Sequence, residues 1–165
     1  MAKLVVPEDA GKPQHRPAML REPTLLWSVI AGLGVTLTVV GWIDLGLLWY
    51  PPNLGNPEWE FGTISSQFDS MPLATIGLAL VAVGAMGKGW QRVAQAAAVL
   101  SGLVAVFLLG IYMIYLLDVP LALKAVAPAL GPTIKKAIAK ASVYAVTYVA
   151  FYSWLAQYVW RRSRA

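Results

Sequence analysis

The residues that could do chemistry in this chain are few and scattered. Beyond the first 24 residues there are five carboxylates: Asp44, Glu58, Glu60, Asp69 and Asp118. Glu58, Glu60 and Asp69 are the nearest to a group, and a metal site needs clustered His, Cys, Asp or Glu. A solvated acidic loop accounts for them better. The single histidine, His15, stands in a polar N-terminal stretch, and there is no cysteine. Thiolate metal sites, disulfides and thiol nucleophiles are therefore excluded, and a haem held by this chain would want a histidine within an apolar segment. No serine lies in a nucleophile elbow. Gly84-Ala85-Met86-Gly87-Lys88-Gly89 lacks the spacing and the following Ser or Thr of a phosphate-binding loop. An enzyme is not expected, and neither a metal nor a cofactor of its own is expected.

Two further patterns could bind. Tyr144, Tyr148 and Tyr152 recur every four residues, so they share a helix face and could line a pigment, quinone or lipid groove; packing is the commoner use of such a stripe. After Pro132, the residues Ile134, Ala137 and Ile138 oppose Lys135, Lys136 and Lys140. That amphipathic pattern suits a piece lying at a membrane surface, its lysines meeting lipid phosphates or acidic groups of a partner. Trp59, in a turn-rich stretch, could contact lipid or a partner in the same way.

These residues hang on four long apolar stretches, at about 25–50, 72–87, 93–117 and 141–160. Three reach the ~20 residues needed to cross ~30 Å of hydrocarbon. The second is shorter but has no charge between Asp69 and Lys88. Charged residues make up 13 % of the chain against about 25 % in soluble domains, which fits immersion in lipid. The fold class expected is all-α: an integral membrane four-helix bundle formed by residues 25–160. A proline-rich tail (1–24) precedes it and a short basic end (161–165) follows. The tail carries Pro7, Pro13, Pro17 and Pro23 with mixed charge and has no apolar core of a cleavable signal.

Orientation follows from the basic residues. Lys3, Lys12, Arg16, Arg21, Lys88, Arg92, Arg161, Arg162 and Arg164 fall on one side, nine in all; Lys124, Lys135, Lys136 and Lys140 fall on the other. Both termini should face the cytoplasm of a bacterial inner membrane. The net charge of +5 then belongs to membrane flanks, and nucleic acid is not an expected partner. Thr24 is expected to cap the first helix and Pro51-Pro52 to stop it. Asp44 sits ~9 Å from the outer end of that helix, and Asp118 likewise falls toward an outer end. The outer loops, 51–70 and 121–140, are expected to carry short amphipathic interfacial segments, with Glu58–Phe68 one of them and Pro72 opening the second span.

Small residues mark packing faces. Gly77 and Gly84 in the second stretch, with Ala98 and Gly102 in the third, let backbones approach closely in lipid. The Gly87–Trp90 linker is short enough to make those two helices a hairpin.

Asn56-Pro57-Glu58-Trp59-Glu60, then Pro72, then Gly77-Leu78-Ala79-Leu80 resemble the hormogonium polysaccharide secretion J-like membrane proteins of cyanobacteria. Those proteins share an outer NPxWE loop and a second helix with a GLxL stretch. The resemblance covers about residues 56–85 and implies an accessory membrane protein linked to polysaccharide secretion. The residues themselves favour a non-catalytic accessory or structural transmembrane subunit that stabilises or assembles a larger membrane complex, such as a photosynthetic or respiratory one. Its partners would be other membrane subunits and phospholipids, with pigment contact open. A polysaccharide-secretion accessory and a small transporter are the alternatives.

Overall fold

A computed structural model describes residues 22–125 and 131–164. The expected N-terminal tail with His15, and the break at Pro128, lie outside the described residues. Four α-helices make up the fold: α1 (Glu22–Leu48), α2 (Pro57–Lys88), α3 (Gln91–Ala125) and α4 (Gly131–Arg162). Among the described residues three helices are long and apolar enough to cross a membrane, within α1, α2 and α3. The chain is a membrane-inserting helical protein.

The helices are longer than the apolar stretches that announce them. α1 starts at Glu22, so Thr24 is inside the first turn and does not cap it. Residues 57–71 form no separate surface helix. They are the first half of α2, which passes through Pro72 without ending. Pro72 points away from the bundle and costs only the helical bond to the Phe68 carbonyl. Thr63, Ile64, Gln67, Phe68, Met71 and Ala74 form a continuous buried stripe on both sides of it. Burial of that stripe outweighs the proline. Residues 132–140 are likewise the first turns of α4, and α3 runs on through Pro120. At 1.5 Å per residue, α2 and α3 are each about 50 Å long, against ~30 Å of hydrocarbon. Both helices are therefore longer than the apolar layer is thick.

The NPEWE stretch is the start of α2. Asn56 caps it, its side-chain oxygen accepting from the amides of Glu58 (3.0 Å) and Trp59 (3.3 Å). Proline occupies the first turn, where no amide partner is lost. Glu60 reaches back to accept from the Gly55 amide at 2.6 Å, a reciprocal cap. Gly89, at φ 74°, closes α2 in the left-handed region and turns the chain into α3.

α2 is the centre of the molecule. It contacts each of the other helices, and its most extensive contact is with α1. Among the described residues the α1 backbone approaches α2 alone. A heptad-like seam on α1 (Ala31, Gly34, Thr38, Gly41, Leu45) meets a complementary row on α2 (Leu78, Gly77, Gly84, Ala74). A Cβ on Gly41 would lie 2.6 Å from the Ala74 amide nitrogen, and one on Gly84 would lie 2.8 Å from Ala31 Cβ. A Cβ on Gly77 would strike the Thr38 backbone. Close backbone approach is what holds helices together where lipid removes the hydrophobic force. Gly77 and Gly84 face α1, where the sequence leaves their partner open between the protein's own bundle and another protein. Ala98 is buried and Gly102 half-buried, its Cβ direction facing Ala156 of α4.

α4 runs antiparallel to α3 and parallel to α2. Lys140 meets Asp69, Tyr152 meets Thr75, and Ser163 lies with Ala85 and Met86 around one small cavity. Its buried residues Ala141, Ala145, Tyr152, Leu155 and Val159 alternate at three- and four-residue steps, a seam facing the α2–α3 pair.

Candidate functional site

The extension of α2 brings residues together that the sequence separates. At the end carrying Asp118, the side chains of α1, α2 and α3 build an aromatic and polar cluster. Trp49 donates its indole N–H to Gln67 (3.0 Å) and packs edge-on to Trp59, ring centres 5.7 Å apart. Phe61 stacks on Tyr115 at 5.0 Å, and Tyr112 stacks beside Tyr115 at 6.4 Å. Asp118 lies on the same face of α3 and is only 8 % exposed. Glu60 is beside it, within reach of a carboxyl–carboxylate hydrogen bond. Such a bond needs a proton on one of the two groups. Asp118 Oδ2 and the Tyr115 hydroxyl are buried with no hydrogen-bond partner.

One turn farther along α2, Asp69 pairs with Lys140 at 2.8 Å. Both side chains are about half exposed. The Asp69 hydrogen bond is the largest influence on Lys140 and raises the pKa of its ammonium. Lys140 also stands 5.4 Å from the ring of Tyr144, a weak cation–π contact. Lys135 and Lys136 are exposed on the first turns of α4, and Glu58 and Asp44 are exposed as well. Trp59 is half-buried in the cluster, so it is as much a packing residue as a surface contact.

The tyrosine stripe does not form one surface. Tyr144 is exposed, Tyr148 half-buried and Tyr152 enclosed. A step of four residues turns 400° around a helix, so successive positions rotate by about 40°. Over two steps that drift carries the stripe from surface to core. Thr75 donates its hydroxyl proton to the Met71 carbonyl at 2.9 Å and meets the Tyr152 hydroxyl at 3.0 Å. With the threonine proton committed, Tyr152 is the donor between them. It ties α4 to α2 and is structural. Tyr144 and Tyr148, ring centres 6.3 Å apart, are the part of the stripe that a lipid or pigment could touch.

Comparison with protein-family models, with curated proteins and with solved structures finds no match to this chain.

The sequence reading missed the Glu60–Asp118 pairing and the roles of Phe61, Gln67 and Tyr115. A signal was present: the three- and four-residue spacing of Thr63, Ile64, Gln67, Phe68 and Met71 continues into Ala74 and Leu78 across Pro72. Reading that proline as a helix start hid it.

Proposed function

We propose that this protein is a non-catalytic multi-pass subunit that stabilises or assembles a larger complex, of the photosynthetic or respiratory type, in a bacterial inner membrane. All four helices cross in this reading. α4 carries more tyrosine and lysine than the others, but it runs alongside α2 from Asp69 to Met86 and so shares its depth. The basic end, with Lys88, Arg92, Arg161 and Arg162, faces the cytoplasm.

The observation that carries the reading is the isolation of α1. Among the described residues its backbone comes close to α2 alone, and only Val35, Thr38 and Val39 share a cavity with α3. The face turned away from α2 bears Gly32, Thr36 and Gly46, all exposed, and a Cβ on Gly32 or Gly46 would meet nothing within 4 Å. Thr36 returns its hydroxyl to the Gly32 carbonyl at 3.2 Å, which satisfies its donor within the helix. Lipid alone does not call for small residues, whereas a partner helix does. Native purification of a tagged chain, compared with Gly32→Leu, tests this: loss of stoichiometric partners with the fold retained supports it. The resemblance over Asn56–Ala85 makes polysaccharide-secretion machinery the alternative assembly, and the identity of those partners separates the two.

A small transporter is the second reading, favoured by the buried Asp118 with its unpartnered oxygen. Ionisable groups within membrane helices commonly mark ion or proton paths. Asp118→Asn would abolish pH-driven uptake in proteoliposomes if that reading holds, and would leave complex formation intact if the subunit reading holds.

A further inference from the structure

We propose that the C-terminal end of α4 and the adjoining groove on α3 form a binding site for one anionic phospholipid. The argument starts from charge. Between Met71 and Leu117, and again from Val119 to the end, the sequence has no carboxylate. The end of the bundle opposite Asp69 nevertheless carries Lys88, Arg92, Arg161, Arg162 and Arg164. Among the described residues the one ion pair is Lys140–Asp69 at the other end. Among the described residues the guanidinium groups of Arg161 and Arg162 are exposed and form no ion pair. Two adjacent guanidinium groups suit the paired oxygens of a phosphate, which they bind through forked hydrogen bonds.

The site has a second, apolar part. Arg161 and Arg162 line an open cavity of about 630 Å³ with Trp154, Gln157 and Tyr158. The Trp154 and Tyr158 rings, one helical turn apart, stack at 5.4 Å and 15° and form an aromatic wall. Gln157 also lines a neighbouring groove of about 330 Å³ with Ala98, Val99, Ala156 and Trp160. That groove exists because Ala98 and Ala156 are small where α3 and α4 meet. Phosphate chemistry at the helix end and an apolar groove beside it share Gln157 of α4. A free phosphate would use only the first part. A phospholipid uses both, with its head at the arginines and a chain lying between α3 and α4.

The test uses the full chain in mild detergent and native mass spectrometry, with cardiolipin, phosphatidylglycerol and phosphatidylcholine titrated separately. The site predicts retention of the anionic lipids at least about tenfold tighter than phosphatidylcholine. Arg161→Gln with Arg162→Gln should weaken anionic-lipid binding about thirtyfold, at about fivefold for each interfacial charge. Lys88→Gln with Arg92→Gln, which removes the same charge at the same end, should change it by less than about threefold. Val99→Trp fills the groove from an exposed position and should weaken lipid binding while the arginines remain. Equal losses in the two double variants would mean diffuse surface attraction and overturn the proposal. So would displacement of the lipid by millimolar inorganic phosphate, equal binding of phosphatidylcholine, or no effect of Val99→Trp.

Discussion

Replacing Gly77 by alanine adds one methyl group where the backbones of α1 and α2 nearly touch. That methyl would lie 2.6 Å from Thr38 Oγ1 and 2.9 Å from the Gly34 carbonyl oxygen, whereas ordinary contact begins at 3.4 Å. The Thr38 backbone nitrogen lies closer still, so the helices must part by more than about 0.8 Å, the difference between 2.6 Å and 3.4 Å. Neither neighbour can move aside alone, since one is a backbone atom and Thr38 Oγ1 is held at 2.8 Å by the Gly34 carbonyl. Forced expansion of a packed core costs about 1–3 kcal/mol. Here the cost should fall at the upper part of that range, because the seam through Ala31, Gly41, Ala74 and Gly84 opens with it. Gly110 has no atom within 4 Å of its Cβ position, so Gly110→Ala should be neutral or raise stability by up to about 1 kcal/mol through helix propensity. Unfolding in bicelles, followed by thermal melting and by steric trapping, measures both variants side by side. A Gly77→Ala protein as stable as wild type, with α1 still seated on α2 by spin-label distances, would refute the packing argument. The absence of native cysteine makes those labels unambiguous.

Other outcomes follow from the same contacts. Thr75→Val should cost more than Tyr152→Phe, because it leaves a buried phenol without an acceptor, about 1–3 kcal/mol against about 1; adding Tyr152→Phe to Thr75→Val should restore part of the loss in the same unfolding assay. Asp69→Asn should remove an alkaline pH dependence of melting. The sign follows from the raised Lys140 pKa: the pair's contribution is complete below the ordinary lysine range and is lost as pH rises through the raised value. Single cysteines at Asn53 and at Gln91, probed with a membrane-impermeant reagent on intact cells, should label the first and spare the second; the opposite pattern would reverse the proposed orientation.

The helical, membrane-inserting class was legible because apolar length and charge exclusion are local properties of the sequence. The extents of the helices were not. Pro72 is a strong local breaker, yet burial of Phe68 and Met71 before it and of Ala74 after it carries α2 through, and α3 likewise runs on past Pro120. The same misreading separated Glu60 from Asp118, which meet only when α2 starts at Pro57. Gly77 and Gly84 were recognisable as close-packing residues from their type. Their partner was not, since small residues announce a close approach without naming the helix that makes it, and the matching glycines, Gly34 and Gly41, sit on α1. Tyr152 illustrates a further limit: four-residue spacing places three tyrosines near one face, but only the rotation over two steps decides which one is inside.

The central claim is that the outward face of α1 is covered by another subunit. Native electrophoresis and mass spectrometry of the tagged chain, wild type against Gly32→Leu with Gly46→Leu, test it most directly. Both positions are open in the isolated protein, so the fold should survive the added bulk. The account predicts a wild-type complex of fixed stoichiometry that the double variant, equally stable and equally abundant in the membrane, fails to join. A wild-type chain that migrates alone, or a double variant that joins the complex unchanged, would contradict it.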